Sequence, residues 1–367
     1  MSSTARILRF PVRQAPPALT ADEAKEFARD YLTTPANQRA ATSNPDVLSA
    51  ICRLLREQRD SNPRMVAEES SAIYRMIRAC TEPLGVFDEK DYFLGESAFI
   101  AGNACRLIGL REEALRWLDR AEAGFRHTVN PGPGLSNVAY ARLALRFEMG
   151  QYEDVLELIP SVSASFEKLE MDIDLAKSRL LQGMALKQCG RFQEALDALG
   201  QARNRPGVAQ DAALHARILA EVGDVHQLDG RFDEAMEAYM QAMPLLESDA
   251  PSLALADLQM FVGSAYRGQG HLKVALEALR SAASIYAELG MVTRVAYTRL
   301  FLADTLLGLG RHREAEWEIL ATLPIIEEQK MVPEGFAAVS LLKESVRQRK
   351  TDPKALRELR DQLQSKS

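Results

Sequence analysis

The chain has 367 residues, of which 47% are hydrophobic and 26% charged, and its formal net charge at pH 7 is -6. These proportions exclude wholesale disorder, and no apolar run approaches the roughly 20 residues that cross a bilayer. The first residues lack the apolar core of a signal peptide, which favours a cytoplasmic location. The four cysteines form no CxxC pair, which argues against a disulfide framework or a zinc site.

The N-terminal part of the chain predicts helices of irregular spacing. Residues 1–19 combine prolines with three arginines and no acid, so we expect a mobile basic segment. The sequence from Thr20 to Glu23 has the form of a capping box and predicts a helix to about Leu32. Helix-like segments at 46–59 and 64–80 are separated by Asn62-Pro63, a cap followed by a proline. Residues 20–89 are therefore expected to form N-terminal helices and a degenerate first hairpin.

Residues 90–330 contain a regular repeat. Six glycines recur at spacings of 41, 40, 40, 40 and 40 residues, and each is followed by a phrase similar to GRFQEAL. The stretch Ala212–Leu228 before one of these glycines is rich in alanine and leucine, and the stretch 232–246 after it has apolar residues on one helical face. Glycine adopts the left-handed conformation at the end of a helix without a Cβ penalty. Each repeat is therefore predicted to be a helix, a tight turn and a second helix. The six turn glycines are Gly109, Gly150, Gly190, Gly230, Gly270 and Gly310.

Two departures from the regular period are expected. Pro131-Gly132-Pro133-Gly134 predicts that the loop between the first two clear repeats is the longest. In residues 331–367 the period continues, because Lys350 lies 40 residues after Gly310 and is followed directly by Thr351-Asp352-Pro353, which has the form of a helix start. Segments 334–349 and 353–364 are then expected to form a C-terminal capping hairpin.

The repeats resemble tetratricopeptide repeats of a long, about 40-residue type. The small residue expected seven positions before the turn is glycine in four repeats and Ala303 in the last, with Leu143 as the exception. The aromatic residue expected two positions after the turn is present as Tyr152, Phe192 and Phe232, and alanine follows five positions after most turns. The resemblance covers residues 90–330 and implies an all-α fold, a right-handed α-solenoid of antiparallel helix hairpins forming a superhelix.

Nothing in the sequence predicts catalysis. His215 and His226 share a helix but lie about 16 Å apart at the rise of an α-helix, too far to share a metal ion. HExxH, GxSxG and phosphate-binding glycine motifs are absent. We therefore expect no enzyme activity, no metal site and no cofactor. The basic residues are concentrated at the two ends and leave an acidic middle, which argues against a nucleic-acid partner.

The resemblance implies that the first helices of successive hairpins line a concave groove, with positions 13, 6 and 3 residues before each turn glycine exposed to a partner. The position ten before the glycine is apolar in all six repeats and is interpreted as core. A chaperone-tail clamp is not supported, because Phe99 stands where that clamp has lysine. The candidate groove residues are Asn103, Arg106, Asn137, Phe147, Lys177, Met184, Lys187, Arg217, Asp224, Asp257, Arg267, Tyr297 and Asp304.

This mixture of charged and apolar groove positions suits an amphipathic helix or an extended peptide. The sequence therefore predicts a noncatalytic scaffold or adaptor that binds a segment of a partner protein. The alternative is a regulator that responds to a peptide or another ligand and acts through a partner protein.

Overall fold

The structure is a computed structural model that describes residues 19–35, 41–81, 84, 89–246, 252–329 and 331–348. These residues form α-helices joined by turns and two short 3-10 segments, with no strand among them, which confirms the all-α class. The helices are α1 (Ala21–Thr33), α2 (Pro45–Gln58), α3 (Pro63–Ala79), α4 (Lys90–Leu107), α5 (Arg111–Arg126), α6 (Gly132–Glu148), α7 (Tyr152–Lys168), α8 (Asp172–Gln188), α9 (Phe192–Arg203), α10 (Ala212–Leu228), α11 (Phe232–Ala242), α12 (Leu253–Gly268), α13 (Leu272–Glu288), α14 (Val292–Gly308), α15 (His312–Glu328) and α16 (Val332–Gln348).

The chain divides into two compact units, Met1–Ala185 and Leu186–Ser367, so that the division falls near the end of α8. In the first unit α4 packs against α5 and α6 against α7. In the second unit α10 packs against α11, α12 against α13 and α14 against α15. Each unit is therefore built from consecutive helix hairpins, as the repeat period predicted.

All six predicted turn glycines have positive φ, between 72° and 84°. At Gly230 the backbone N–H donates to Gln227 at 3.1 Å, and the next N–H, of Arg231, donates to the His226 carbonyl at 2.8 Å. These bonds satisfy carbonyls that the end of α10 would otherwise leave without a partner. The prediction that these glycines join the two helices of each hairpin is confirmed.

The N-terminal helices begin where their capping residues predicted. The Thr20 hydroxyl accepts from the Glu23 backbone while the Glu23 carboxylate accepts from the Thr20 backbone, which is the expected capping box of α1. Asn62 caps α3 by accepting from the Met65 N–H, with Pro63 at the first helical position. Most of the basic N-terminal segment, residues 1–18, and the second helix of the expected C-terminal hairpin, 353–364, lie outside the described residues, so both stay predictions.

The predicted loop at Pro131–Gly134 is wrong. Pro131 precedes α6 and Gly132–Gly134 already form its first turn, where proline is tolerated because the N–H has no helical partner. A Cβ on Gly134 would lie 2.7 Å from the Phe125 Cδ2 atom, so the glycine permits α6 to approach that ring. The five-residue connection 127–131 is shorter than the connection 204–211 between α9 and α10.

The two helices of a hairpin approach closely at the small residue seven positions before the turn. A Cβ on Gly223 of α10 would lie 2.7 Å from Cδ1 of Tyr239 on α11, and a Cβ on Gly263 of α12 would lie 2.7 Å from Cγ of Leu279 on α13. Both Tyr239 and Leu279 are fully buried. Glycine therefore makes room for a large side chain that stands sixteen residues later in the partner helix.

Glu170 has the one positive φ of a non-glycine residue among the described residues, 55°, in the turn between α7 and α8. Gly290 takes the same conformation, with φ of 69°, in the turn between α13 and α14. The left-handed conformation costs a residue with a Cβ about 1–2 kcal/mol, while a new glycine loses about 0.5–1 kcal/mol in chain entropy. We therefore expect Glu170→Gly to raise the free energy of unfolding by up to about 1 kcal/mol in a urea titration.

The reverse change in the second unit is the matched control. Gly290→Glu should lower the free energy of unfolding by about 1 kcal/mol, because it introduces the strain that Glu170→Gly removes. A Glu170→Gly variant less stable than the parent would show that the Glu170 side chain contributes more than its backbone strain costs.

Candidate functional site

Several contacts between successive first helices join residues that are 37 positions apart in the chain. The contacts include a hydrogen bond of 3.0 Å from Gln227 to Ser264 and one of 3.3 Å from the Tyr140 hydroxyl to the Lys177 carbonyl. Within each unit, we call the side of the first helices that carries the positions 13, 6 and 3 residues before each turn glycine the first-helix face. These helices are α4, α6 and most of α8 in the first unit, and α10, α12 and α14 in the second. Within the described residues, side-chain hydrogen bonds at this offset between first helices join 140 with 177, 187 with 224, 227 with 264, 257 with 294 and 267 with 304.

Lys187 lies inside a buried ionic triad of the second unit. Its Nζ atom is 2.6 Å from Glu221 and 2.5 Å from Asp224, and it lies 5.5 Å from the centre of the Phe261 ring. Burial opposes the charge, but the two carboxylates outweigh it, so the pKa of the Lys187 ammonium is raised above its usual value. The interpretation of Lys187 as an exposed groove charge is wrong, because α10 and α12 cover it.

Asp257 joins three helices of the second unit. Its carboxylate accepts a hydrogen bond of 2.5 Å from the Tyr286 hydroxyl of α13 and pairs with Arg294 of α14. Burial raises the pKa of Tyr286 well above its usual value, and the neighbouring Asp257 raises it further. Tyr286 therefore stays protonated and donates this bond, so Asp257 holds the helices together and is buried rather than presented to a partner.

An aromatic and ionic patch lies on α12 and α14. Arg267 pairs with Asp304, and its guanidinium lies over the Phe301 ring at 5.1 Å. The Tyr297 ring contacts Phe301 at 5.0 Å and is 42% exposed. Because ion pairing and stacking restrain these side chains, the patch offers an ordered apolar surface beside a partly exposed ion pair. We call Arg267, Tyr297, Phe301 and Asp304 the aromatic patch.

The candidate residues of the first unit are also engaged with neighbours. Arg106 pairs with Glu148, Lys177 lies 3.0 Å from Asp174, and the Phe147 ring packs against Tyr152 at 5.2 Å. Asn103 is buried and donates to the Phe99 carbonyl of its own helix at 3.2 Å. Asn137 and Met184 are partly buried.

Arg217 differs from the other described arginines whose Nε atom is buried without a partner. Among the arginines that the structure describes, five have a buried Nε atom without a hydrogen-bond partner, and four of these use a terminal guanidinium nitrogen in an ion pair or hydrogen bond. Arg217 makes neither kind of contact with the residues that the structure describes. The four with such a contact are Arg106, Arg179, Arg231 and Arg267.

Sequence reasoning missed the residues that neutralise the candidate charges. Glu221 and Arg294 lie outside the positions transferred from the repeat pattern, yet they pair with Lys187 and Asp257. Phe301 was missed for the same reason. Opposite charges separated by 34 or 37 residues are visible in the sequence, and this spacing is the signal that could have identified the pairs.

The described residues offer no cluster suited to metal binding or nucleophilic chemistry. No group of three or more histidine, cysteine or acidic side chains is placed to hold a metal ion within the described ranges. Burial raises the pKa of the Cys105 thiol to about 11, which keeps this sulfur protonated. Among the helices described, none is long and apolar enough to cross a membrane.

Comparison with known proteins gives one family match and several similar folds. The tetratricopeptide repeat family matches residues 216–243, which belong to the hairpin of α10 and α11. No curated protein matches the chain in sequence.

Three solved structures are similar over most of this chain. A Rap protein complexed with Competence and Sporulation Factor has 14% identity and a TM-score of 0.56, with 89% of this chain and 93% of that chain covered. NprR in complex with its cognate peptide NprX has 12% identity and a TM-score of 0.54, with 80% and 86% covered. A signal transduction ATPase with a tetratricopeptide repeat sensor, from Pyrococcus horikoshii, has 15% identity and a TM-score of 0.52, with 90% and 50% covered. At these identities the likeness shows the fold.

Proposed function

The chain is a tetratricopeptide-repeat protein, and from this premise we propose that it is a noncatalytic scaffold or adaptor, working in the cytoplasm. It holds a peptide or a helix of a partner protein on its first-helix face. The tetratricopeptide-repeat fold supports a binding role. The partner is a protein segment, since the first-helix face offers both apolar and ionic contacts and no basic stripe for nucleic acid.

The aromatic patch is the observation that carries this proposal. Its ion pair and ring contacts already restrain these side chains. Binding at Tyr297 therefore costs little further side-chain entropy. Half-exposed aromatic side chains beside arginine are typical of the residues that dominate the free energy of protein interfaces. A bound segment would place an apolar side chain on Tyr297 and a polar group near Asp304.

Photo-crosslinking tests which face binds. A benzoylphenylalanine replaces Tyr297 on the first-helix face in one variant, and it replaces Trp317 on the second helix α15 in the control. Trp317 is 61% exposed and also lies near an arginine, so the two probes have similar surroundings. We expect a discrete crosslinked partner from position 297 and none from position 317, by electrophoresis and mass spectrometry of irradiated native cells.

The result that contradicts the proposal is equally definite. Equal crosslinking at the two positions, or crosslinking at 317 alone, would place the binding surface on the second helices. A crosslink at 297 that persists after Arg267→Ala and Phe301→Ala are combined would show that the aromatic patch does not hold the partner.

A second candidate is a regulator that responds to a peptide and acts through a partner protein. The structures of the Rap protein and of NprR favour it, because each contains a bound factor or peptide and covers at least 80% of this chain. The same crosslinking variant distinguishes the two functions. A scaffold captures its partner with unchanged yield when cell-derived peptides are removed, whereas a regulator shows a yield that rises or falls when they are restored.

A further inference from the structure

An exposed apolar patch lies on the second helices of the second unit. Met240 of α11 is 68% exposed and Val274 of α13 is 47% exposed. Met243, one turn after Met240, is exposed as well. A shallow cavity of about 360 Å³, lined by residues 270–274 and Leu309, opens beside Val274. We call Met240, Met243 and Val274 the second-helix patch, which lies outside the first-helix face.

The repeat places Met240 and Val274 side by side on neighbouring second helices. One repeat later, Arg280 and Glu314 stand ten and four positions after their turn glycines, and their side chains lie 3.6 Å apart. Met240 and Val274 hold the same two positions in the preceding repeats. Two exposed apolar side chains therefore stand where the next pair of helices has an ion pair. Adjoining apolar side chains that solvent reaches are typical of a surface that binds another protein.

Two carboxylates flank the second-helix patch. Glu237 lies one turn before Met240 on α11, and Glu277 lies one turn after Val274 on α13. Both side chains are exposed, and neither forms an ion pair with the part of the chain that the structure describes. Lys273 lies beside the cavity. The cavity end of the patch therefore accepts an apolar group, and the two carboxylates accept basic ones.

The charges around the patch select the class of its partner. Glu237 and Glu277 repel the phosphates of nucleic acids and of anionic lipids, which bind basic surfaces. A second copy of the chain docked on the same patch would bring these carboxylates near their own counterparts, and like charges across an interface are costly. A protein segment that carries apolar side chains beside lysine or arginine complements both features of the surface.

We propose that the second-helix patch docks a basic amphipathic segment of a partner protein. Apolar side chains of this segment lie on Met240 and in the cavity beside Val274, and its lysines or arginines pair with Glu237 and Glu277. The ion pairs set the register of the segment, while the apolar contacts supply most of the affinity. This docking site does not depend on what the first-helix face binds, so a scaffold could hold one segment on each surface.

Three synthetic peptides of equal length test this docking site on the full-length chain. The first has leucines along one helical face and lysines on both sides of them. The second has glutamates in place of the lysines, and the third has the composition of the first with its leucines distributed around the helix. Binding is measured by fluorescence anisotropy of the labelled peptides. We expect the first peptide to bind about tenfold or more tightly than either of the others.

Variants separate the apolar contribution from the ionic one. Met240→Ser combined with Val274→Ser should weaken binding of the first peptide about tenfold or more, because both side chains are exposed and available for contact. Glu237→Gln combined with Glu277→Gln should weaken it about threefold or more and reduce its dependence on salt. Val129→Ser is the matched control, since it removes a fully exposed apolar side chain of the first unit, and it should change nothing.

Tyr297→Ser distinguishes this docking site from the first-helix face. Binding of the first peptide that is lost in Tyr297→Ser and kept in the combined Met240→Ser and Val274→Ser variant would overturn the docking site and support the first-helix face instead. Equal binding of the first and third peptides would overturn it as well, because an amphipathic surface distinguishes them. If no peptide binds while circular dichroism shows an intact helical fold, the docking site is wrong and the crosslinking test of the first-helix face is unaffected.

Discussion

Replacing Gly223 by leucine is expected to lower the free energy of unfolding by about 3 kcal/mol, the upper part of the range for overpacking a core. A Cβ at this position would lie 2.7 Å from Cδ1 and 2.9 Å from Cζ of Tyr239. The Tyr239 ring cannot move aside easily. It is fully buried, its hydroxyl donates to Gln227 at 3.1 Å, and it stacks on Phe261 at 6.3 Å. Urea unfolding followed by circular dichroism measures the loss.

Gly200 provides the matched control for this substitution. It lies within α9, and a Cβ built there meets no atom within 4 Å. Gly200→Leu should therefore leave stability unchanged or raise it by about 0.5–1 kcal/mol, because leucine favours the helix more than glycine does. Equal loss in the two variants would show that the helix, and not the contact with Tyr239, determines the effect.

The same reasoning extends the expectation to Gly263, which approaches Leu279. Leucine is more flexible than the stacked and hydrogen-bonded Tyr239, so Gly263→Leu should cost less than Gly223→Leu. A ranking in which Gly263→Leu is the more damaging change would contradict the importance assigned to the Tyr239 anchor.

The parts of the fold that depend on local conformation could be predicted from the sequence. The turn at Gly230 requires a positive φ, which glycine adopts without strain. The start of α3 follows from Asn62-Pro63, because the capping side chain and the proline both affect only the first turn of the helix. Pro131–Gly134 was misread because its glycines serve a distant contact. Gly134 lies against the Phe125 ring, and nothing in the local sequence distinguishes that role from a flexible loop.

The candidate site was harder to predict, because charge burial depends on neighbouring helices. Lys187 stands at a position transferred from the repeat pattern as exposed, but Phe261 lies 74 residues further along and covers it. Tyr297, thirteen positions before its turn glycine, is also at a position transferred from the repeat pattern as exposed, and it remains 42% exposed. The two side chains differ in exposure because neighbouring helices contribute different side chains around them. The repeat period therefore locates each position but does not determine whether solvent reaches it.

The second large loss of stability is expected from breaking the buried ionic triad of Lys187, Glu221 and Asp224. Lys187→Met should lower the free energy of unfolding by about 3–5 kcal/mol, because methionine fills similar space but leaves two buried carboxylates without their cation. The side chains of Lys187, Glu221 and Asp224 are 4%, 5% and 14% exposed, so water can compensate only at Asp224. Thermal and urea unfolding of the full chain measure the change.

Removing the carboxylates together with the cation separates lost pairing from lost packing. If unpaired charge is the cause, the triple variant Lys187→Met, Glu221→Gln and Asp224→Asn should regain at least half of the stability that Lys187→Met alone loses. Arg280→Met is the exposed counterpart. Arg280 and Glu314 lie 3.6 Å apart and both side chains are about half exposed, so breaking this pair should cost no more than about 0.5 kcal/mol. A Lys187→Met loss as small as that of Arg280→Met would show that the two carboxylates reach solvent and that the triad is no part of the core.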